Sequence, residues 1–184
     1  MENKKRKLDN NPQLTEASIH PDLIVTTEEV FRYFDWNQLD WEVEKQNSEY
    51  GAYLIKLDHL LLRFRVAKTT PTKVGQFVTL WKRNTKGIIE PYTSQDKMDF
   101  VVINTRLGEH IGQFVFPKKI LIEKGILSVN GVGGKRGFRV YPLWDHPDNP
   151  QAIQTQKWQL NYFLDLTQGS QQLNAKSIQR LYNI

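Results

Sequence analysis

A helix, a run of strands interrupted by a short helix, and a closing helix are what this sequence predicts, and that order defines one domain of the α/β or α+β class. Three observations carry the prediction. A capping signal with helical apolar spacing opens the ordered part near residue 26, and strand-type alternation runs through residues 60–82. The third is length: 184 residues match one domain, whose core needs no covalent staples.

The elements follow in order. Residues 1–19 are polar and predict a disordered basic tail, with a single domain over 20–184. Thr26-Thr27-Glu28-Glu29 reads as a capping box, with Val30, Phe31, Phe34 and Trp41 spaced for a helix over about 27–38. Residues 49–57 predict a strand, Asp58-His59 a turn, and residues 60–67 a second strand. On that strand Leu60, Leu62, Phe64 and Val66 share one face; Leu61, Arg63, Arg65 and Ala67 share the other. Lys68-Thr-Thr-Pro71 breaks it, and residues 75–82 form the next, with Phe77, Thr79 and Trp81 alternating against Gln76, Val78 and Leu80. Residues 84–98 read as loop, 99–104 and 112–116 as buried strands, and Pro117 opens a helix over about 117–124 that Gly125 ends. A loop at 130–134, a strand at 138–141 and a Pro-rich loop at 142–150 follow. Residues 151–166 have helical length, with Ile153, Trp158, Tyr162 and Leu166 on one face, and a short helix is expected over 174–182.

Composition excludes several function classes. The absence of cysteine removes disulfides, thiolate zinc sites, iron–sulfur clusters and cysteine nucleophiles, and fits a reducing, cytoplasmic setting. No apolar stretch is long enough to span a membrane. Lys4–Lys7 suits either a solvated basic tail or a nuclear import signal. The net charge of +5 is unevenly placed: residues 12–60 carry −7, residues 61–92 carry +6 and residues 117–139 carry +5. A charged face follows if the two basic blocks meet in space.

Arg63 and Arg65 lie two apart on a strand, so their guanidinium groups project from one face about 7 Å apart. Such a pair suits clamping of phosphates, or pairing with a carboxylate on a neighbouring strand; both readings stand. Lys68, Lys73, Lys82 and Arg83 are interleaved with Phe77 and Trp81, a pattern suited to phosphate neutralisation and base stacking, although the aromatics taken alone suit the core. Gly131-Val-Gly-Gly-Lys135-Arg136 is neither a Walker A motif nor a dinucleotide fingerprint and reads as a loop beside two exposed cations. Asp145, His146 and Asp148 are weighed as a divalent-ion set and set aside, since proline-rich loops carry such residues without metal. No Gly-x-Ser-x-Gly elbow and no HExxH is present. Gln151, Gln154, Gln156 and Gln159 are more amides than a structural helix needs.

Several segments in this order resemble the MepB family. They are Glu49-Tyr-Gly-Ala52, Phe64-Arg-Val-Ala-Lys68 with Thr70-Pro71, Lys73-Val-Gly-Gln-Phe77-Val and Trp81-Lys-Arg83. Gly112-Gln-Phe-Val-Phe-Pro117, Gly134-Lys-Arg136, Arg139-Val-Tyr-Pro142 with Trp144, and Gln151-Ala with Thr155-Gln-Lys-Trp-Gln159 and Tyr162-Phe163 continue the match. The resemblance covers residues 49–163 and implies a central mixed β-sheet flanked by helices, similar to the restriction-endonuclease-like and tRNA-endonuclease-like fold. Enzymes of that fold hold a metal with a carboxylate on one strand and an acidic-x-Lys triplet on the next. Here the second strand ends Arg65-Val-Ala-Lys68, so the triplet is missing.

The expectation is therefore a nucleic-acid-binding domain with a nuclease-like fold, partnered by DNA or RNA and needing no cofactor. Arg63, Arg65, Lys68, Lys73, Lys82, Arg83, Lys135, Arg136 and Arg139 are expected to form one basic cleft. Trp81, Trp144 and Trp158 are expected to stack bases, with Gln156 and Lys157 beside them. The alternatives are a metal-dependent nuclease using a displaced set drawn from Glu44, Glu49, Asp58 and Asp99 near Lys68, or a binder of small nucleotide-like anions.

Overall fold

Strand-forming sequence dominates the middle of the chain, and the structure, a computed structural model, places it in eleven strands; it describes residues 19–34, 36–167 and 173–182. The expectations for residues 1–18 lie outside that range. The strands are β1 (Leu39–Val43), β2 (Tyr53–Leu57), β3 (Leu60–Val66), β4 (Lys68–Thr70), β5 (Lys73–Thr79), β6 (Trp81–Arg83), β7 (Ile89–Pro91), β8 (Phe100–Leu107), β9 (His110–Pro117), β10 (Gly137–Val140) and β11 (Phe163–Asp165). The helices are α1 (Pro21–Val25), α2 (Lys118–Glu123), α3 (Pro150–Gln159) and α4 (Ala175–Tyr182).

Six strands make a central mixed sheet in the order β1-β2-β3-β8-β9-β11. All its neighbours pair antiparallel except β3 and β8, which pair parallel. A three-stranded sheet, β10-β5-β4, and the β6–β7 ribbon form a further layer. One apolar cluster joins Leu62, Phe64 and Val102 of the central sheet to Leu23, Phe31, Ile178 and Leu181 of the terminal helical segments. A second joins Val101, Ile103, Phe114 and Phe116 to Val78, Leu80, Leu121 and Phe138. Both faces of β3 and β8 are therefore covered, as expected for strands at the centre of a layered fold.

Thr26 is not a helix cap. The N-terminal helix starts five residues earlier, where Pro21 has the φ of a first turn and His20 Nδ1 accepts the Asp22 N–H. It continues through a π-turn over Thr26–Val30 and a 3-10 turn over Phe31–Tyr33. Thr26 is drawn inward instead. Its hydroxyl donates to the Asp22 carbonyl and accepts from Asn104 Nδ2 and Gln113 Nε2, both at 3.0 Å. The Tyr182 hydroxyl donates to Gln113 Oε1, so this buried chain of polar groups ties α1, β8, β9 and α4 together. Each member is partnered, and orphaning one costs about 1–3 kcal/mol.

Other boundaries differ from the expected ones for local reasons. Trp41, expected in the first helix, sits in β1, paired with Ile55. β2 begins at Tyr53, because Ser48–Tyr50 form a 3-10 turn between the left-handed residues Asn47 and Gly51. Lys68–Thr70, expected as a break, is a short strand paired with β5, and the 84–98 loop holds β7. The long helix expected over 151–166 stops at Gln159, and Phe163–Asp165 joins the central sheet beside β9. Of its expected apolar stripe, Ile153 is exposed, while Trp158, Tyr162 and Leu166 pack against the core; within the helix itself Ala152 and Gln159 are the buried residues. The last helix, and the α2 segment closed by Gly125 at φ 62°, lie where the sequence places them. Among the described residues no helix is long and apolar enough to cross a membrane.

Candidate nucleic-acid interface

The expected cleft does not form as one surface. Arg63 and Arg65 point between the central sheet and the β5–β7 layer, where Glu44, just after β1, meets both. Arg63 Nη1 donates to Glu44 Oε1, and Arg65 Nη1 lies 2.5 Å from Oε2. Arg65 also donates to the Phe64 carbonyl, and it has no solvent exposure. The Arg63 guanidinium lies 4.3 Å from the centre of the Tyr92 ring, and the Tyr92 hydroxyl donates to Glu44 Oε1. Burial, aided by the Glu44 charge, pushes the Tyr92 phenol up to about 12 against the opposing arginines. Of the two readings of this arginine pair, pairing with a carboxylate is the one observed. One carboxylate serves two guanidinium groups, and Arg63 Nε, Arg65 Nε and Arg65 Nη2 find no hydrogen-bond partner.

Lys82 is engaged too, at 2.7 Å from Asp96 and 3.5 Å from Glu90. Burial raises the Asp96 carboxyl, but the Lys82 ammonium and the Thr93 amide and hydroxyl outweigh it and hold the group below its usual range. Of the acidic residues weighed for metal, Glu44, Asp58 and Asp99 are likewise occupied, whereas Glu49 makes only an exposed contact. Glu44 holds the arginines, Asp99 accepts the Leu61 N–H, Asp58 accepts the Asn37 and Gln38 N–H groups, and Glu49 lies 3.7 Å from Lys68. Among the described residues no three His, Asp or Glu side chains gather as a metal-holding group.

The outward residues of the same charge block behave differently. In the β10-β5-β4 sheet, Phe77 pairs in register with Lys68 on one side and with Arg139 on the other. Direct cross-strand partners share a face, so these three side chains form one row. Gln76 and Val78 are buried beneath while Phe77 and Thr79 are half-exposed, which fixes the row on the outer surface. This corrects the expectation that Phe77 belongs to the core. The Tyr50 ring meets Phe77 edge-on at 6.3 Å and carries the Lys68 ammonium 4.6 Å from its centre. The Arg139 guanidinium lies 6.0 Å from the centre of the Phe77 ring and donates to Gly75 O and Thr70 Oγ1, both at 2.7 Å.

Two glycines let the rings lie against the backbone. A Cβ at Gly75 would stand 2.5 Å from the Tyr141 ring, and one at Gly137 would stand 2.6 Å from Phe77. Gly75 also holds φ +85°, which an L side chain rarely adopts. Exposed Lys73 starts β5, and exposed Lys135 and Arg136 lead into β10. The face thus offers three half-buried rings, Tyr50, Phe77 and Tyr141, among cations. Tyr50 and Tyr141 are not among the expected site residues. The alternation of residues 75–80 is the signal that points to this face, since Gln76, Val78 and Leu80 form the more apolar side and leave Phe77 facing out.

The remaining candidates lie elsewhere. Arg83 donates to Gly87 O and sits over the Trp81 ring. Trp144 stacks on His110 at 5.3 Å and edges onto Phe163, covering Gly112, whose missing Cβ makes room for both rings. Gln156 donates to the Pro142 and Asp145 carbonyls and fastens the proline-rich loop. Asp145 is raised by burial, with His146 opposing. Lys157 and Trp158 line a separate groove on α3.

The MepB-like family model matches residues 44–165. A solved structure of MepB is 35% identical to this chain, with a TM-score of 0.70, and the alignment covers 83% of this chain and 99% of that one. No curated protein matches.

Proposed function

The chain belongs to the MepB-like family, and from that premise we propose that it binds single-stranded stretches of DNA or RNA on the outer face of the β10-β5-β4 sheet. The observation that carries this is the row Lys68–Phe77–Arg139 flanked by Tyr50 and Tyr141. Bases have apolar faces and phosphates are anionic, so rings alternating with cations complement an unpaired strand. Every base offers a π-face, hence binding is tolerant of sequence, and Lys68, Lys73, Lys135 and Arg136 make it electrostatic. Glu49 subtracts little, because an exposed pair at this distance is weak. We extend the proposal to a nuclease-like fold used as a binding platform without metal-dependent cleavage, since Glu44 and Asp99 are committed to structural partners.

The test is a salt titration of affinity for single-stranded and duplex DNA and RNA. Tighter binding to single strands is expected, with affinity falling steeply as salt rises. A double-strand preference, salt-insensitive binding or no binding would overturn the proposal. Cleavage in the presence of Mg²⁺ or Mn²⁺ would overturn the part that excludes metal-dependent nuclease chemistry.

A further inference from the structure

The four glutamines of α3 divide into two pairs. Gln156 and Gln159 turn toward the body of the protein: Gln156 bonds Pro142 O and Asp145 O, and Gln159 accepts the Tyr141 N–H and donates to Arg139 O. Gln151 and Gln154 turn the other way. With Trp158 they occupy successive turns of one helix face, and with Lys124, Lys157 and Asn161 they line a groove of about 500 Å³. The groove is shallow and open to solvent, and its volume falls within the ~300–1,000 Å³ of small-molecule sites. The lining contains an indole, two ammonium groups and three primary amides, and no carboxylate.

The cations are not committed to ion pairs. The Lys124 ammonium lies 5.5 Å from the centre of the Trp158 ring, and neither Lys124 nor Lys157 has a salt-bridge partner among the described residues. Trp158 is held by Phe116 and Tyr162, at 5.4 Å and 6.4 Å between ring centres, so its indole is a fixed wall. Lys124, by contrast, sits on a flexible stem just past the end of α2. A planar heterocycle stacked on Trp158 leaves the three amides to bond its edge, and the two ammonium groups to bind an attached phosphate. Each half of the groove's chemistry thus matches one half of a nucleotide.

We infer that this groove is a binding site for a nucleoside 5′-phosphate, separate from the outer β-sheet face. The ligand is either a free nucleotide or the phosphorylated end of a strand. The site stands on its own observations, although Gln159 fastens α3 directly to β10 and so places it next to that face.

Calorimetric titration with AMP, adenosine and inorganic phosphate tests the inference. AMP is expected to bind, and adenosine or phosphate alone at least about tenfold more weakly, because each fills half of the site. The surface variant Lys124→Ala/Lys157→Ala is expected to lose AMP affinity by about tenfold or more while keeping the wild-type melting temperature. Trp158→Phe, which keeps a ring, is expected to weaken adenosine and AMP in parallel and leave phosphate unchanged. No AMP binding at millimolar concentration, or binding that the double lysine variant leaves unchanged, overturns the inference. Phe77→Ala separates it from the proposed sheet interface: AMP affinity should persist there while strand affinity falls. A loss of both in that variant would place AMP on the sheet and also overturn the separate site. Competition between AMP and a 5′-phosphorylated strand in the same variant distinguishes the two sources; competition identifies a strand end, and its absence identifies the free nucleotide.

Discussion

The two sides of the basic segment 61–92 carry like charges and opposite commitments. Facing inward, Arg63 and Arg65 share the Glu44 carboxylate, and Lys82 is bound to Asp96. Facing outward, Lys68 has one exposed carboxylate at 3.7 Å, and Lys73 has no ion-pair partner among the described residues. The difference teaches that a basic run does not itself describe a binding surface. A guanidinium in a low-dielectric layer must recruit a carboxylate and becomes part of the framework, whereas an ammonium on an outer strand stays available.

Removing the inner carboxylate tests the comparison most severely. Glu44→Gln leaves two buried guanidinium groups without a counter-charge and is expected to destabilise the fold by about 3–5 kcal/mol in chemical denaturation. Replacing all three by apolar residues, as in Glu44→Leu/Arg63→Met/Arg65→Met, should recover most of that loss. Retained strand binding by the triple variant would confirm that the inner arginines are framework; its loss would break the comparison.

Asp96 gives a pH-dependent version. Its folded carboxyl titrates below the usual value, so its contribution is present above the unfolded carboxylate pKa of about 4 and is lost as pH falls through the lower folded value. Asp96→Asn should cost about 1.5–3 kcal/mol at neutral pH, through the charged hydrogen bond from Lys82 and the two from Thr93. The gap from wild type should close in acid. A gap that persists at low pH would mean the cost is steric.

On the outer side, Gly75→Ala is expected to cost about 1–3 kcal/mol, because the new Cβ meets the Tyr141 ring and the backbone sits at positive φ. It should weaken strand binding as well, by displacing that ring. The smallest stability effect belongs to Lys68→Ala/Lys73→Ala, within about 0.5 kcal/mol of wild type. Its signature is instead a shallower salt dependence of strand affinity, by about one unit of slope for each phosphate that is no longer neutralised.

How much of this was legible follows from which residues decide it. The alternation of β3 was plain, because Leu60, Leu62, Phe64 and Val66 make one face apolar without interruption, and that of β5 was weaker because Gln76 interrupts its apolar side. Glu44 could not be assigned to Arg63 and Arg65, since it lies 19 positions from Arg63 in the chain and only the β1–β2–β3 pairing brings them together. β11 was hidden for a similar reason: Phe163–Asp165 continues a helical segment in sequence and becomes a strand through pairing with β9. Thr26 has the sequence context of a cap, but a residue that caps a helix locally also makes a good buried hydroxyl, and Asn104 and Gln113 claim it. The basic residues were all visible, but their availability depends on acids and rings distant in sequence.

The most direct test of the central claim is amide chemical-shift mapping on addition of a short single strand, with Phe77→Ala alongside. Shifts are expected to concentrate on β4, β5 and β10 around Lys68, Phe77 and Arg139, with a loss of about 1–3 kcal/mol of binding energy in the variant. Shifts centred on Glu44, Arg63 and Arg65 instead, with affinity unchanged in Phe77→Ala, would contradict it.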